Sequence, residues 1–186
     1  AAQRLVAAAE GLAPVEPRAQ RLPTTRSPWW FLDRVGDAGP YYHERGDLTA
    51  VQIENGPAYV TVRFWLLRQP DTWNTATTGG LVRIDRPSNG RATDYNVVVI
   101  KANRHLGVVV TPHGSNQANC VSRNARDLGR SLLGYGYSAR FQYSCIGGHY
   151  GFRSRTAFVY SWFPGDPIPT VDFAPGNKWS PVIQPR

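Results

Sequence analysis

Residues 49–65 read TAVQIENGPAYVTVRFW, two alternating segments on either side of Asn55-Gly56-Pro57. In the first segment β-branched residues occupy every second position, and Tyr59 to Trp65 is again rich in β-branched and aromatic residues. Alternation of this kind has the two-residue period of a β-strand, and Asn-Gly favours the tight turn of a hairpin. The stretch therefore predicts a β-hairpin whose second strand begins one or two residues after Pro57, because proline cannot donate a ladder hydrogen bond.

The rest of the chain contains further short strand-like segments separated by turn residues. Residues 95–101 and 107–111 predict a second hairpin. Residues 121–134 fit either a short helix or a strand, because their apolar residues follow neither period. The remaining predicted strands are 81–85, 138–145 and 155–162. Together these make about seven strands with little helix, which predicts an all-β fold, an antiparallel β-sandwich.

The first 28 residues differ in composition from the rest of the chain. Residues 1–12, AAQRLVAAAEGL, are strong helix formers and predict a short helix. Four prolines in residues 13–28 predict an extended arm. We therefore expect an N-terminal helix and arm over 1–28 and a β-sandwich domain over 29–186. An arm of this kind suits docking on, or exchange with, a neighbouring copy.

Several features of the composition indicate an extracellular protein. The sequence contains no methionine and begins Ala1-Ala2, which suits a chain matured by signal-peptide cleavage; removal of an initiator methionine alone is the alternative. Cys120 and Cys145 fit one disulfide in an oxidising compartment, or two buried thiols in a cytosolic protein. No apolar run approaches the ~20 residues of a transmembrane helix.

The net charge of +8, from 21 basic and 13 acidic residues, favours anionic partners. Arginine greatly outnumbers lysine, and alanine, glycine and proline are common, as is typical of high-GC bacterial genomes. The positive charge is spread along the chain, which favours a solvated face over a binding patch. If the charge does serve binding, an anionic polysaccharide or the cell wall is the expected partner, and nucleic acid is not expected.

Several short motifs after residue 46 occur in a characteristic order. Gly46-Asp47-Leu48-Thr49 opens the first hairpin, residues 81–85 (LVRID) precede a glycine-containing turn, and Ser144-Cys145-Ile146-Gly147 and residues 172–176 (DFAPG) follow. With these motifs the chain resembles a group of secreted actinobacterial β-sandwich proteins, distantly similar in layout to DOMON-like and family 9-type carbohydrate-binding sandwiches. The resemblance covers residues 46–182. It implies a secreted sandwich and no particular ligand.

The sequence contains no G-x-S-x-G elbow, H-E-x-x-H, P-loop or C-x-x-C motif. We therefore expect a non-enzymatic protein and predict no catalytic residue. A secreted hydrolase is the weaker alternative. For that alternative Asp85 and Asp94 are the pair to consider, because two carboxylates act as acid and base in glycoside hydrolysis.

Three carboxylates, Asp47, Asp85 and Asp94, flank predicted strands and turns. With backbone carbonyls they could hold calcium, which takes six to eight oxygen ligands. The alternative is turn chemistry, in which an aspartate bonds the backbone near it. No other metal or cofactor is predicted.

Aromatic and arginine residues are frequent between residues 135 and 155. Aromatic faces stack on planar or apolar ligand surfaces, and arginine pairs with carboxylates and phosphates. The alternative is that the aromatic residues fill the core. The candidate ligand-binding residues are Tyr135, Tyr137, Tyr143, Tyr150, Arg140 and Arg153.

Two functions suit these features. The arm favours an extracellular structural or self-assembling subunit, a homo-oligomer or filament formed through the N-terminal arm. We expect this first function. The alternative is a carbohydrate- or cell-wall-binding module, which the aromatic residues and the basic charge favour.

Overall fold

The computed structural model describes residues 24–37, 44–70, 78–87, 93–102, 105–161, 170–176 and 178–186. Within these ranges the chain consists of strands and turns, with one 3-10 turn at Tyr143–Ile146. The predicted all-β class is therefore confirmed. The strands are β1 (Thr24–Arg26), β2 (Trp29–Leu32), β3 (Leu48–Asn55), β4 (Tyr59–Leu66), β5 (Gly79–Asp85), β6 (Tyr95–Ala102), β7 (His105–Pro112), β8 (Cys120–Ser122), β9 (Ala125–Ser131), β10 (Gly134–Gln142), β11 (Arg153–Tyr160), β12 (Thr170–Ala174) and β13 (Val182–Gln184).

The predicted hairpin at 49–65 is confirmed as β3 and β4, which pair antiparallel with Ile53 opposite Val62. The second strand begins at Tyr59, two residues after the proline, as expected. Asn55 has a different role from the one its Asn-Gly pair suggests, because it belongs to the last pair of the ladder, opposite Val60. The turn itself is closed by the Gly56 N–H, which donates to the Tyr59 carbonyl at 3.2 Å.

Most strands belong to two antiparallel sheets. The first sheet has the order β2-β3-β4-β10-β9, and the second has the order β12-β11-β5-β6-β7-β8. The second predicted hairpin is confirmed as β6 and β7, with Val97 opposite Val110. Because the backbone of a β-strand is pleated, successive side chains point alternately toward the core that the sheets share and away from it. We call these the inward and outward faces.

Residues 121–134, which fitted a helix or a strand, contain the end of β8, all of β9 and the first residue of β10. Val121 is 75% exposed and Leu132 is fully exposed, so these apolar side chains do not mark a buried face. Gly129 has a φ of +72° and lies beside a register shift between β9 and β10. The irregular apolar pattern therefore arises from a bulged edge strand with little burial.

The hydrophobic core draws side chains from both sheets. The Phe64 ring of β4 lies 5.5 Å from the Tyr137 ring of β10 and 5.7 Å from the Phe158 ring of β11. Gly80 of β5 lies so close that a Cβ there would be 3.0 Å from the Phe64 ring. The inward faces of the two sheets are thus in direct contact around Phe64.

The predicted disulfide is confirmed between Cys120 and Cys145, whose Cα atoms are 5.5 Å apart. Cys120 begins β8 at the edge of the second sheet, and Cys145 lies in the 3-10 turn that follows β10 of the first sheet. The bridge thus links the two sheets covalently. Closing a loop of this length stabilises the fold by ~3–4 kcal/mol in the chain-entropy model.

The predicted helix at 1–12 and the arm as far as residue 23 lie outside the described residues. The end of the arm, β1, pairs in parallel with β13 of the same chain. Ser27 accepts the Asn55 N–H at 2.7 Å through its Oγ, and its carbonyl accepts Arg186 Nε–H at 3.1 Å. Residues 24–28 are therefore docked on their own domain.

Candidate ligand-binding surfaces

Two of the predicted ligand-binding tyrosines lie in the core. Tyr137 is 2% exposed and packs on Phe64. Tyr143 is also buried, and its hydroxyl donates to Asn55 Oδ1 at 2.9 Å and lies against the Gly56 carbonyl. Burial raises the pKa of the Tyr143 hydroxyl, which therefore acts as a donor that holds the β3–β4 turn. Neither ring offers a face to a ligand.

Tyr150 and Arg153 are held by neighbouring side chains. The Arg86 guanidinium lies 4.9 Å from the centre of the Tyr150 ring, whose hydroxyl donates to the Ile146 carbonyl. Arg153 pairs with the buried Asp85, and its guanidinium lies 5.0 Å from the centre of the Trp179 ring. These contacts indicate structural roles for both residues.

The three predicted calcium ligands do not form one group among the described residues. Asp85 pairs with Arg153, and Asp94 pairs with Arg86 at 3.4 Å and accepts the Arg86 backbone N–H at 2.7 Å. Asp94 thus bonds the backbone of its own turn, which was the predicted alternative to calcium binding. Asp47 lies at a different place, among further carboxylates.

An acidic group forms where the edges of the two sheets meet. Asp33 follows β2, Asp37 lies four residues later, and Asp172 lies in β12; ligand oxygens of these three carboxylates are all within 4.8 Å of one another. Asp47, whose Oδ2 accepts the Gly36 N–H at 2.9 Å, acts electrostatically on Asp33 and Asp172. These four aspartates constitute the acidic group. An all-oxygen donor set of this kind could hold calcium.

Burial and carboxylate repulsion raise the pKa values of two members of the acidic group, Asp33 and Asp172. Burial first, and then the charge of Asp37, raise the pKa of Asp33 to about 7. Burial first, and then the charge of Asp33, raise the pKa of Asp172 to about 8, although the Leu48 N–H bonds its Oδ2 at 2.6 Å. Asp33, Asp37 and Asp172 were not predicted, because they come from two distant parts of the chain and share no local motif.

An exposed tryptophan distinguishes the outward face of the first sheet. Trp30 is 47% exposed and stacks on Trp65, with ring centres 5.5 Å apart and planes 20° apart. Trp65 lies over Gly136, where an added Cβ would be 2.6 Å from the indole Nε1. We call Trp30 and Trp65 the tryptophan platform; the absence of a side chain at Gly136 makes room for it.

A row of polar side chains crosses the same face beside the tryptophan platform. The strand register aligns Trp30 with Gln52, Gln52 with Arg63, and Arg63 with Ser138. Arg63 donates to Gln52 Oε1 at 2.5 Å and to Glu54 Oε2 at 3.2 Å. Because neighbouring strands are ~4.8 Å apart, this polar row runs on the order of 15 Å across four strands.

Of the predicted ligand-binding residues, Arg140 lies on this outward face. It is opposite Thr61 in the register, is exposed, and lies 4.5 Å over the Tyr59 ring. The apolar run at 29–32 was not predicted to bind a ligand. Strand alternation could have revealed Trp30, since in a run of four apolar residues on an edge strand one face must point outward.

No helix among the described residues is both long and apolar enough to span a membrane. Comparison of the chain with models of known families, with curated proteins and with solved structures found no match. The resemblance to actinobacterial sandwiches therefore stays a prediction.

Proposed function

We propose that this protein is a secreted, non-enzymatic β-sandwich that binds carbohydrate through the outward face of its first sheet. The sandwich assignment is supported by the core shared between the two sheets, in which Phe64 touches side chains of both. Secretion is supported by the disulfide, because such bridges persist in oxidising compartments.

The tryptophan platform is the observation that carries the proposal. A sugar ring has an apolar face of C–H groups and an edge of hydroxyls, so it needs an aromatic surface next to hydrogen-bonding groups. Trp30 supplies the surface, and Gln52 in the neighbouring strand, which is only 8% exposed, accepts a hydrogen bond from Arg63 and orients it. Arg63, already oriented by Gln52 and Glu54, supplies fixed donors one strand further on. Sites for small polar ligands combine aromatic walls with a few fixed polar groups in this way.

Affinity electrophoresis through gels containing single polysaccharides tests this function, followed by calorimetry with oligosaccharides of any polymer that retards the protein. We expect Trp30→Ala to weaken binding at least tenfold, about 1.4 kcal/mol. Trp30→Phe keeps an aromatic face and should retain most of the affinity. Leu132→Ala, which removes an exposed apolar side chain on another part of the surface, is the control.

Thermal melting of each variant separates loss of binding from loss of folding. Failure of the wild-type protein to bind any polysaccharide of a broad plant, bacterial and fungal panel would overturn the proposal. Equal binding by Trp30→Ala and wild type would overturn it as well.

Self-assembly is the second candidate function, and strand β2 favours it. Among the described strands β2 pairs only with β3, so it forms an edge of the first sheet. Trp30 and Leu32 on this strand are 47% and 68% exposed. Exposed apolar edge strands pair with other chains unless they are blocked. Light scattering behind a sizing column would detect such oligomers, and Leu32→Lys should dissociate them.

The predicted route to assembly through the N-terminal arm is a separate version of this candidate. A chain beginning at Ser27 would lose oligomers that depend on the arm and keep those that depend on the β2 edge. Monomers at every concentration for the full chain would eliminate both versions.

A further inference from the structure

The two sheets enclose a cleft at the end of the molecule where β4 finishes and β10 begins. The cleft has a volume of about 910 Å³. Its lining includes the cationic residues Arg45, Arg68, Lys101 and Arg130, together with Glu44 and Tyr135. Tyr135, one of the predicted ligand-binding tyrosines, is part of this lining.

Strand alternation explains why polar groups reach this cleft. Val97 and Val99 of β6 belong to the core, and Lys101 is the next residue on the same inward face. On β10 the inward positions Ala139 and Tyr137 are followed in the same way by Tyr135. An ammonium group and a partly exposed phenol ring therefore occupy the positions where the core ends.

The charged residues that line the cleft are mostly positive. Glu44 is the only carboxylate among the described lining residues and pairs with Arg68, so the positive charge that matters for a ligand is that of Lys101 and Arg130. Like charges held together repel one another, and a cleft with low-dielectric walls focuses the resulting field on anions. The arrangement is complementary to a ligand that carries several negative charges.

We propose that this cleft binds the acidic groups of a carboxylate-bearing polysaccharide, as a second subsite next to the sugar-binding face. The inference extends the proposed carbohydrate-binding function, but it depends on different residues. Arginine binds carboxylates through two parallel hydrogen bonds, so Arg130 at the rim suits a uronate carboxyl group. Lys101 supplies a compact positive charge.

The aromatic content of the cleft argues against nucleic acid as its ligand. Proteins that bind single strands stack successive bases on several aromatic rings. Tyr135 is the only aromatic residue among the described residues that line this cleft. A polysaccharide needs charge complementarity there and no series of stacking faces.

Calorimetry with polygalacturonate oligosaccharides, compared with neutral oligosaccharides of matched length at low and high salt, tests this subsite. At low salt we expect the acidic ligand to bind more tightly than the neutral ligand. At high salt most of this difference in affinity should disappear. In the double variant Lys101→Ala with Arg130→Ala, the preference for the acidic over the neutral ligand at low salt should fall at least tenfold. Arg123→Ala with Lys178→Ala removes the same net charge elsewhere on the exposed surface and should leave it intact.

The outcomes distinguish the two proposals. Equal affinity of the cleft variant and wild type for polygalacturonate would overturn the subsite, whatever Trp30→Ala does. A salt-dependent preference for the acidic ligand that Trp30→Ala leaves intact but the cleft variant abolishes would support the subsite, even if the sugar-binding face fails. Tighter binding of a single-stranded oligonucleotide than of polygalacturonate, lost in the cleft variant, would assign the cleft to nucleic acid and overturn the inference.

Discussion

The outward faces of the two sheets differ in what they expose. On the second sheet five outward apolar side chains form a cluster in which none is more than 4% exposed: Leu81, Val98, Ala157, Val159 and Val171. On the first sheet the outward positions carry Gln52, Arg63 and the half-exposed Trp30. The part of the second sheet formed by β5, β6, β11 and β12 is therefore buried on both faces, whereas the first sheet exposes Trp30 and part of Arg63 on its outward face. This asymmetry identifies the first sheet as the surface on which to look for a ligand.

A charge placed on each face tests this contrast, and we expect the largest effect here. Val98→Asp should destabilise the fold by about 3–5 kcal/mol, because it leaves an uncompensated charge in a buried cluster. Leu32→Lys, on the outward face of the first sheet beside Asp33, should cause no loss of stability, because Leu32 is 68% exposed. Urea unfolding followed by circular dichroism measures both. Similar losses for the two variants would show that the faces do not differ as described.

A smaller effect is expected where the tryptophan platform rests on its sheet. Gly136→Ala places a methyl group against the Trp65 indole and should cost about 1–3 kcal/mol, the usual range for overpacking. It should also weaken carbohydrate binding, because Trp30 stacks on Trp65. Gly107→Ala, where the added Cβ meets only a carbonyl at 3.4 Å, is the matched control. Unchanged Trp65 fluorescence and binding in Gly136→Ala would contradict this account.

The last contrast concerns the acidic group, which lies where the edges of the two sheets meet. Asp33 and Asp172 have folded-state pKa values of about 7 and 8, above the ordinary value of 3.8. Between pH 4 and these values the folded state binds more protons than the unfolded state, so stability should fall as pH rises from about 4 to 8. Asp172→Asn removes one charge and should flatten this dependence. Its amide oxygen can still accept the Leu48 N–H.

Melting temperatures from pH 4 to pH 9, with and without calcium, measure this dependence. A bound divalent cation would relieve the carboxylate repulsion, so calcium should raise the melting temperature more at pH 8 than at pH 5. Asp127→Asn, at an exposed site in the first sheet, is the control. A melting temperature that rises steadily from pH 5 to pH 8 without added metal would contradict the assigned shifts.

The sequence was informative where a local pattern determined the structure. Residues 49–65 form the predicted hairpin because alternation and a turn lie within one short stretch. The run Asn96 to Ile100 is almost continuously apolar, as expected for a strand buried on both faces, and its outward residue Val98 is fully buried. The contrast between the two sheets is therefore already present in their sequence patterns.

Most of the candidate sites could not be predicted from the sequence, because the fold brings together residues that are far apart along the chain. Asp33 and Asp172 meet only because β2 and β12 form adjoining edges of different sheets. Lys101 and Arg130 share a cleft because the ends of two hairpins lie over the same end of the core. Tyr137 and Tyr143 were misleading for the opposite reason: their spacing resembles a stacking surface, but the inward alternation of β10 and the turn that follows place both in the core.

The parallel pairing of β1 with β13 determines how the domain would respond to mechanical force. Thr24 lies beside Val182 and Arg26 beside Gln184, so the two strands run side by side in the same direction. Tension that enters before Thr24 and leaves after Gln184 pulls the strands past each other along their length. All of their hydrogen bonds then share the load at once, whereas a hairpin pulled open from its free ends breaks its bonds one by one. Arg186 adds two further bonds beside this strand pair: its Nε–H donates to the Ser27 carbonyl and its backbone N–H donates to the Asn55 carbonyl. A domain tethered at one end and pulled at the other would therefore be loaded in shear, the direction in which a β-pair resists extension best.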